Sequence, residues 1–283
     1  MQIVDAHAHV FPPEVIRQRA AYRQRDRWFG LLYANPRARL ATADELVAAL
    51  DAAGVGRAVA FGFAFADVGL CRACNDYTLD AARRFAGRLI PLAVTNPAAG
   101  AEGVAEARRA LEGGARGLGE LMPEGQGYSL DDAAALDPLM ALARAAAAPL
   151  WVHVNEPVGH AYPGKGAQGP AEAYRLAVRY PENDLVLAHW GGGLPFYELM
   201  PEVRATLRRV YYDTAASPYL YAPEILAHVA AWAPHKVLFG SDYPLIAPSR
   251  ALAYVRAAHL ADEPLTKLLG ANVLRLLGGA GAA

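Results

Sequence analysis

The chain has 283 residues, a formal net charge of −1, and 54% hydrophobic against 19% charged residues. That length exceeds an average domain but suits a (β/α)8 barrel folding as one unit, here a single domain over 1–283, with ample apolar material for its core. The near-neutral balance gives no electrostatic reason to expect nucleic acid or an anionic membrane as partner.

The chain opens Met1-Gln2-Ile3-Val4-Asp5 without a basic segment leading into an apolar one, so it does not read as a signal peptide. No apolar run approaches the roughly 18 residues of a membrane span. A cytoplasmic protein is the expectation. Residues 2–5 read as a first strand, ended by the polar pair His7 and His9. Residues 10–41 read as an irregular insert with prolines at 12, 13 and 36. Its aromatic residues, Trp28, Phe29 and Tyr33, suit a lid or the interface arm of a homo-oligomer. Thr42 and Glu45 form a capping-box pattern that starts a helix running to Ala53, with Gly54 as its stop.

Strand-like and helix-like runs then alternate. Strands are expected at 57–61, 89–94, 116–121, 150–154, 185–188, 210–212 and 236–239. Helices are expected at 71–85, 100–111, 130–147, 170–180, 195–207, 222–231, 249–258 and 264–277. The strand runs are continuously apolar, as in a parallel sheet covered on both faces. Eight strands alternating with helices indicate an α/β chain, a (β/α)8 barrel with a short insert after the first strand. A doubly wound sheet is the rival, but no G-x-G-x-x-G follows the first strand. Cys71 and Cys74 form a lone C-x-x-C on a helical segment and read as reduced thiols. The tail from Gly278 reads as frayed.

In such a barrel the C-terminal ends of the strands converge on the face that carries chemistry. Here those ends carry His7 and His9 (first strand), Glu120 (fourth), His153 (fifth), His189 (sixth), Asp213 (seventh) and Asp242 (eighth). Ionisable groups inside apolar runs are costly to bury unless paired or bound to metal. His7 and His9, two apart on an extended segment, point the same way and make a chelating pair. Zinc accepts imidazole nitrogen and carboxylate oxygen, and His153 and Asp242 could complete a shell. The loop after the fifth strand, residues 155–165, is polar and punctuated by Pro and Gly, which suggests substrate contact. Asn155, Glu156, His160, Tyr162 and Lys165 are its candidates. His160 and Lys165 could grip a carboxylate or phosphate, so a small acidic substrate fits. Arg72 and Arg116 are weaker candidates, and His228, His235 and His259 read as surface residues.

Four pieces carry a resemblance to the amidohydrolase superfamily, in its amidohydrolase-related branch. They are Val4-Asp5-Ala6-His7-Ala8-His9, Trp151-Val152-His153, Ala188-His189-Trp190-Gly191-Gly192 and Leu238-Phe239-Gly240-Ser241-Asp242-Tyr243-Pro244. The resemblance implies a distorted barrel holding a divalent metal, usually zinc. His7 and His9 resemble the strand-one ligands, His153 the strand-five ligand, and Asp242 the aspartate that touches both metal and catalytic water. His189 resembles a catalytic group in single-metal members and a ligand of a second metal in others. Gly119-Glu120 resembles the strand-four acid that bridges two metals, or else an acid that orients a ligand histidine, so one or two ions remain open. The activity implied is metal-dependent hydrolysis of a small-molecule ester, lactone or amide, with Asp242 and His189 catalytic. The alternative is a non-oxidative decarboxylase or hydratase of a small aromatic or unsaturated acid.

Overall fold

The computed structural model describes residues 2–278. Eight strands follow in order: β1 Val4–His9, β2 Arg57–Phe61, β3 Leu89–Pro91, β4 Leu118–Leu121, β5 Leu150–Val152, β6 Leu185–Leu187, β7 Val210–Asp213 and β8 Val237–Leu238. Each pairs in parallel with its sequence neighbour, β1 to β3 in one group and β4 to β8 in the other. Single bridges, Ala93 to Leu118 and Ala8 to Tyr243, join the two groups and close the (β/α)8 barrel. The apolar runs are covered as their composition requires: β1, β3, β4, β5, β6 and β8 are buried throughout.

The expected helices form, most with shifted ends. Thr42 and Glu45 make the reciprocal cap, Glu45 N donating to Thr42 Oγ1 (3.2 Å) and Thr42 N to Glu45 Oε2 (2.8 Å). Gly54 ends that helix in the left-handed conformation (φ 70°). The expected helix at 195–207 is instead an irregular 3-10 segment followed by a short helix, Pro201–Thr206. Cys71 and Cys74 are free and buried on the helix Val68–Arg84, and burial pushes the Cys74 thiol up to about 12, as suits unreactive thiols. The tail expectation falls beyond Gly278, outside the described residues. Among the described residues no helix is long and apolar enough to cross a membrane.

Two expectations about the start of the chain need correction. The His-x-His lies inside β1 rather than after it, because pairing with β2 continues to His9 opposite Phe61. The insert is not irregular: it holds the short helices Pro13–Arg17, Arg19–Arg25 and Arg27–Leu32. Nor is it a free arm. Asp26 caps the third helix through Phe29 N (2.7 Å) and accepts from Ala66 N (2.9 Å), tying the insert to the loop after β2. Phe29 is fully buried and packs against Phe63 and Phe65, so the apolar residues of the insert are seated on the loop after β2.

Gly119, in β4, is demanded by sterics. Its φ is +117°, and a Cβ there would collide with the Trp151 carbonyl of β5. Gly119→Ala is therefore expected to cost about 3 kcal/mol or more, from left-handed strain and overpacking together. Urea unfolding would measure it, and a loss below 1 kcal/mol (roughly one ordinary surface substitution) would contradict it.

Candidate metal centre

β1 and the segment after β8 build one wall of the site. Asp242 N donates to the His7 carbonyl (2.9 Å), His9 N to the Tyr243 carbonyl (2.7 Å), and Ser241 N to Asp5 Oδ1 (2.9 Å). Asp242 takes a left-handed backbone (φ 65°), which Asp tolerates better than most residues and which turns its carboxylate toward the histidines. His7 Nε2 and His9 Nε2 lie 3.3 Å apart, and Asp242 Oδ1 sits 3.7 and 3.5 Å from them. Residues more than two hundred positions apart thus meet within contact distance.

β4, β5 and β6 build the opposite wall. Glu120 Oε1 lies 3.0 Å from His153 Nδ1 and 3.6 Å from His189 Nε2. Its other oxygen, Oε2, lies 3.7 Å from His7 Nε2 and 3.6 Å from His9 Nε2. One carboxylate therefore stands between two groups of donors, His7, His9 and Asp242 on one side and His153 and His189 on the other. His189 opens a run of five residues with positive φ, through Trp190, Gly191, Gly192 and Gly193. Trp190 anchors the run by donating to Ser217 Oγ (2.8 Å), and a Cβ on Gly192 would strike the Asn155 carbonyl. The glycines are what let this turn pass so close to the loop after β5.

In the sequence Asp213 is one strand-end acid among several, yet it organises the centre. Its Oδ2 accepts from His7 Nδ1 (2.8 Å), and its Oδ1 from His189 N (3.0 Å) and Ala215 N (3.1 Å). His9 Nδ1 faces the Gly62 carbonyl (3.4 Å) and His189 Nδ1 the Ala215 carbonyl (3.1 Å). Each of these contacts leaves Nε2 of the imidazole directed inward, the usual way outer partners set a ligand histidine.

Glu120, Asp213 and Asp242 are all buried, and among the described residues no lysine or arginine pairs with them. Buried carboxylates require a compensating charge. Without an ion the imidazoles supply it. Burial alone would lower the His7 pKa, but Asp213, Glu120 and Asp242 outweigh it and raise it to about 9. Burial is likewise overcome at His189 by Glu120, Asp242 and Asp213, which raise it to about 10. His9, buried beside His7, is lowered. Glu120 is held well below its ordinary value by His153, His7 and His189 despite its burial. Imidazole nitrogens and carboxylate oxygens converging on one buried point are the donor set of a divalent ion such as zinc or manganese, so the residues fit a metal.

These shifts carry a sign that can be measured. His7 and His189 are raised above the ordinary 6.5, so in ion-free protein their stabilising charge is complete below pH 6.5 and lost as pH rises through about 9 and about 10. An ion needs a bare nitrogen, so its binding must displace protons. Ion affinity is expected to rise roughly tenfold per pH unit for each proton released between pH 7 and 9. Calorimetric titration in buffers of different ionisation enthalpy reads the proton count; an affinity flat across that range would contradict it.

The loop after β5 is arranged differently from expectation. Asn155 does face the centre, Oδ1 lying 3.3 Å from His153 Nε2, and Glu156 is buried with Oε2 accepting from Tyr162 OH (3.0 Å). Lys165, however, donates to the Val158 and His160 carbonyls (2.6 and 3.1 Å), stapling its own loop, and His160 is exposed beside Tyr162. The expected cationic grip on an acidic substrate is therefore not assembled there. Arg72 pairs with Glu106, away from the centre, and Arg116 lines a groove with Arg57 and Pro91 at the other end of the barrel.

The sequence model of the amidohydrolase family matches residues 4–279. Among proteins with curated descriptions, none matches. Solved structures that resemble the chain include 5-carboxyvanillate decarboxylase from Sphingomonas paucimobilis, with a TM-score of 0.81 and 18% identity over 98% of this chain and 99% of that one. The 5-carboxyvanillate decarboxylase of Novosphingobium aromaticivorans, complexed with manganese and 4-hydroxy-3-methoxy-5-nitrobenzoic acid, gives 0.79 and 16% over 98% and 96%. A dihydroxybenzoic acid decarboxylase from Polaromonas, with bound manganese and 2-nitroresorcinol, gives 0.74 and 16% over 99% and 98%.

Proposed function

The chain belongs to the amidohydrolase family, and on that premise we propose that it is a divalent-metal-dependent enzyme that decarboxylates a small, hydroxylated aromatic or unsaturated acid without an oxidant. The observation that carries this reading is the pairing of His189 with Glu120, 3.6 Å apart, beside the His7, His9 and Asp242 group. Non-oxidative decarboxylation replaces carbon dioxide by a proton on carbon, so it needs an acid. His189 beside Glu120 is an imidazole whose pKa the buried carboxylates raise to about 10 in ion-free protein, so it can carry that proton. The decarboxylases of similar fold, two of them bound to manganese, support the choice of reaction.

His7, His9 and Asp242 would hold the ion, with Glu120 or His153 completing the set. When bound, the ion would supply a positive charge that offsets the negative charge of the substrate acid. His189 delivers its proton to the carbon from which the carboxylate departs; the C–C electron pair passes to that carbon and becomes the new C–H bond. Glu120 keeps His189 charged and in place, and Asp213 fixes the backbone of His189 and the ring of His7. Asn155, Glu156 and Tyr162 would line the substrate side.

A second reading, hydrolysis of a lactone or ester, is favoured by the position of Glu120 between two donor groups, as suits a pair of ions. In that case His189 is a neutral ligand and Asp242 the base that takes a proton from water. The test sets a panel of hydroxybenzoates, scored by carbon dioxide release, against a panel of lactones and esters, using manganese- and zinc-loaded protein. Turnover confined to the second panel would overturn decarboxylation.

A further inference from the structure

The steps above leave one cavity unused. It lies where the strands begin, at the opposite end of the barrel from the metal centre, and its volume is about 440 Å³, within the range of small-ligand sites. Arg57, Arg83 and Arg116 line it, and among the described residues no aspartate or glutamate does. Rigid elements set these guanidinia. Arg57 opens β2, Arg83 stands in the last turn of the helix Val68–Arg84, and Arg116 N donates to the Pro91 carbonyl of β3 (2.8 Å). Gly87 and Gly114, which also line the groove, are left-handed (φ 76° and 111°) and face open space that a side chain would fill. The positive charge there is poorly compensated. Arg83 reaches Asp80 at 3.6 Å with the two side chains 67% and 54% exposed, a pair worth little in water. Arg116 is exposed, and its Nη2 meets the Leu277 carbonyl at 3.5 Å, a long bond that a better acceptor can replace. Arg57 has a contact of its own and adds charge rather than a free fork. Burial, and then the nearness of Arg116, lower the Arg57 pKa, as follows when like charges are held together. Two helices also end at this groove, and their C-termini contribute about half a negative charge each, which three guanidinium charges outweigh.

We propose that this groove is a second ligand site, separate from the metal centre, and that it takes a phosphate dianion, either free or as a small ester. Guanidinium forks match phosphate oxygens in bidentate pairs. A phosphate ester carries roughly −1.5 to −2 charge at neutral pH, against a single charge on a carboxylate, so it answers a group of cations better. Leu79 and Leu89 line the same groove and offer apolar surface to the body of an ester. Arg116, which in sequence suits the grip on an acidic substrate, is placed here to grip an anion that never meets the metal.

The experiment is calorimetric titration of inorganic phosphate and of phenyl phosphate into manganese-loaded wild type, Arg116→Gln and Arg83→Gln. Both arginines are exposed, so ion content and melting temperature should stay at wild-type values. Wild type is expected to bind at least one probe at millimolar concentration or below. Each substitution should weaken that binding about 10- to 100-fold, the range for losing a hydrogen bond between charged groups. Tighter binding of phenyl phosphate would assign the groove to an ester, and equal or tighter binding of inorganic phosphate to the free anion. Affinities within twofold of wild type in both variants would put the anion at the metal centre instead and overturn the proposal, as would failure of wild type to bind either probe at millimolar concentration. Should one variant fail to fold, the other decides by the same criterion. No turnover is read, so the result stands whichever reaction the metal centre performs.

Discussion

Replacing Asp242 by Asn is expected to lower turnover by roughly a hundredfold to ten-thousandfold, with most of the ion still bound. Asn has the same shape and can still offer a carbonyl oxygen near His7 and His9, where Asp242 Oδ1 now lies 3.7 and 3.5 Å away. The backbone placement should also persist, since Asp242 N donates to the His7 carbonyl whatever the side chain. What Asn lacks is a charge and a site for a proton. Both proposed reactions need these. In decarboxylation the negative charge helps hold His189 as an acid; in hydrolysis the carboxylate accepts the proton of water. The experiment is therefore a test of the site rather than of the reaction chosen for it. Turnover within tenfold of wild type, with ion content measured on the same sample, would remove Asp242 from the machinery.

Much of the barrel could be read from period and punctuation alone. Short apolar runs separated by Ala-rich helices leave few alternatives, and Thr42 with Glu45 marks a helix start almost by itself. Strand-end residues could also be named, because the fold brings strand ends together. What sequence could not give is which polar groups on the catalytic face point inward and which are spent on the loop itself. Lys165 looks like a substrate grip in sequence and is consumed by two carbonyls of its own turn. Asp213 looks like one strand-end acid among several, yet it contacts both His7 and His189. The insert misled in the same way. Its prolines and lack of periodicity suggested irregular chain, while three short helices are stabilised there by tertiary burial of Phe29 and by capping from Asp26. Short helices are marginal by themselves and depend on such packing, so local pattern does not announce them.

Glu120→Gln separates the two proposed reactions, and its expected result is a change of pH profile rather than a loss of ion. If His189 is the acid, its charge depends on the carboxylate 3.6 Å away. Without that charge His189 should fall from about 10 toward the ordinary 6.5. At pH 8 the protonated fraction then drops, by at most about thirtyfold because Asp242 and Asp213 still raise the value, and carbon dioxide release should drop with it. The basic limb of the profile should move down by more than one unit, and activity at pH 6 should largely survive. Ion content should remain near one equivalent, since His7, His9 and Asp242 form a donor group without Glu120. A bridging role for Glu120 demands the opposite pattern. Wild type would then hold two equivalents, the variant would lose one, and hydrolysis would fall at every pH, because the missing oxygen is a ligand rather than a source of charge. Metal analysis and a pH–rate profile on the same preparations therefore decide whether the central acid of this barrel keeps a proton in place or joins two ions.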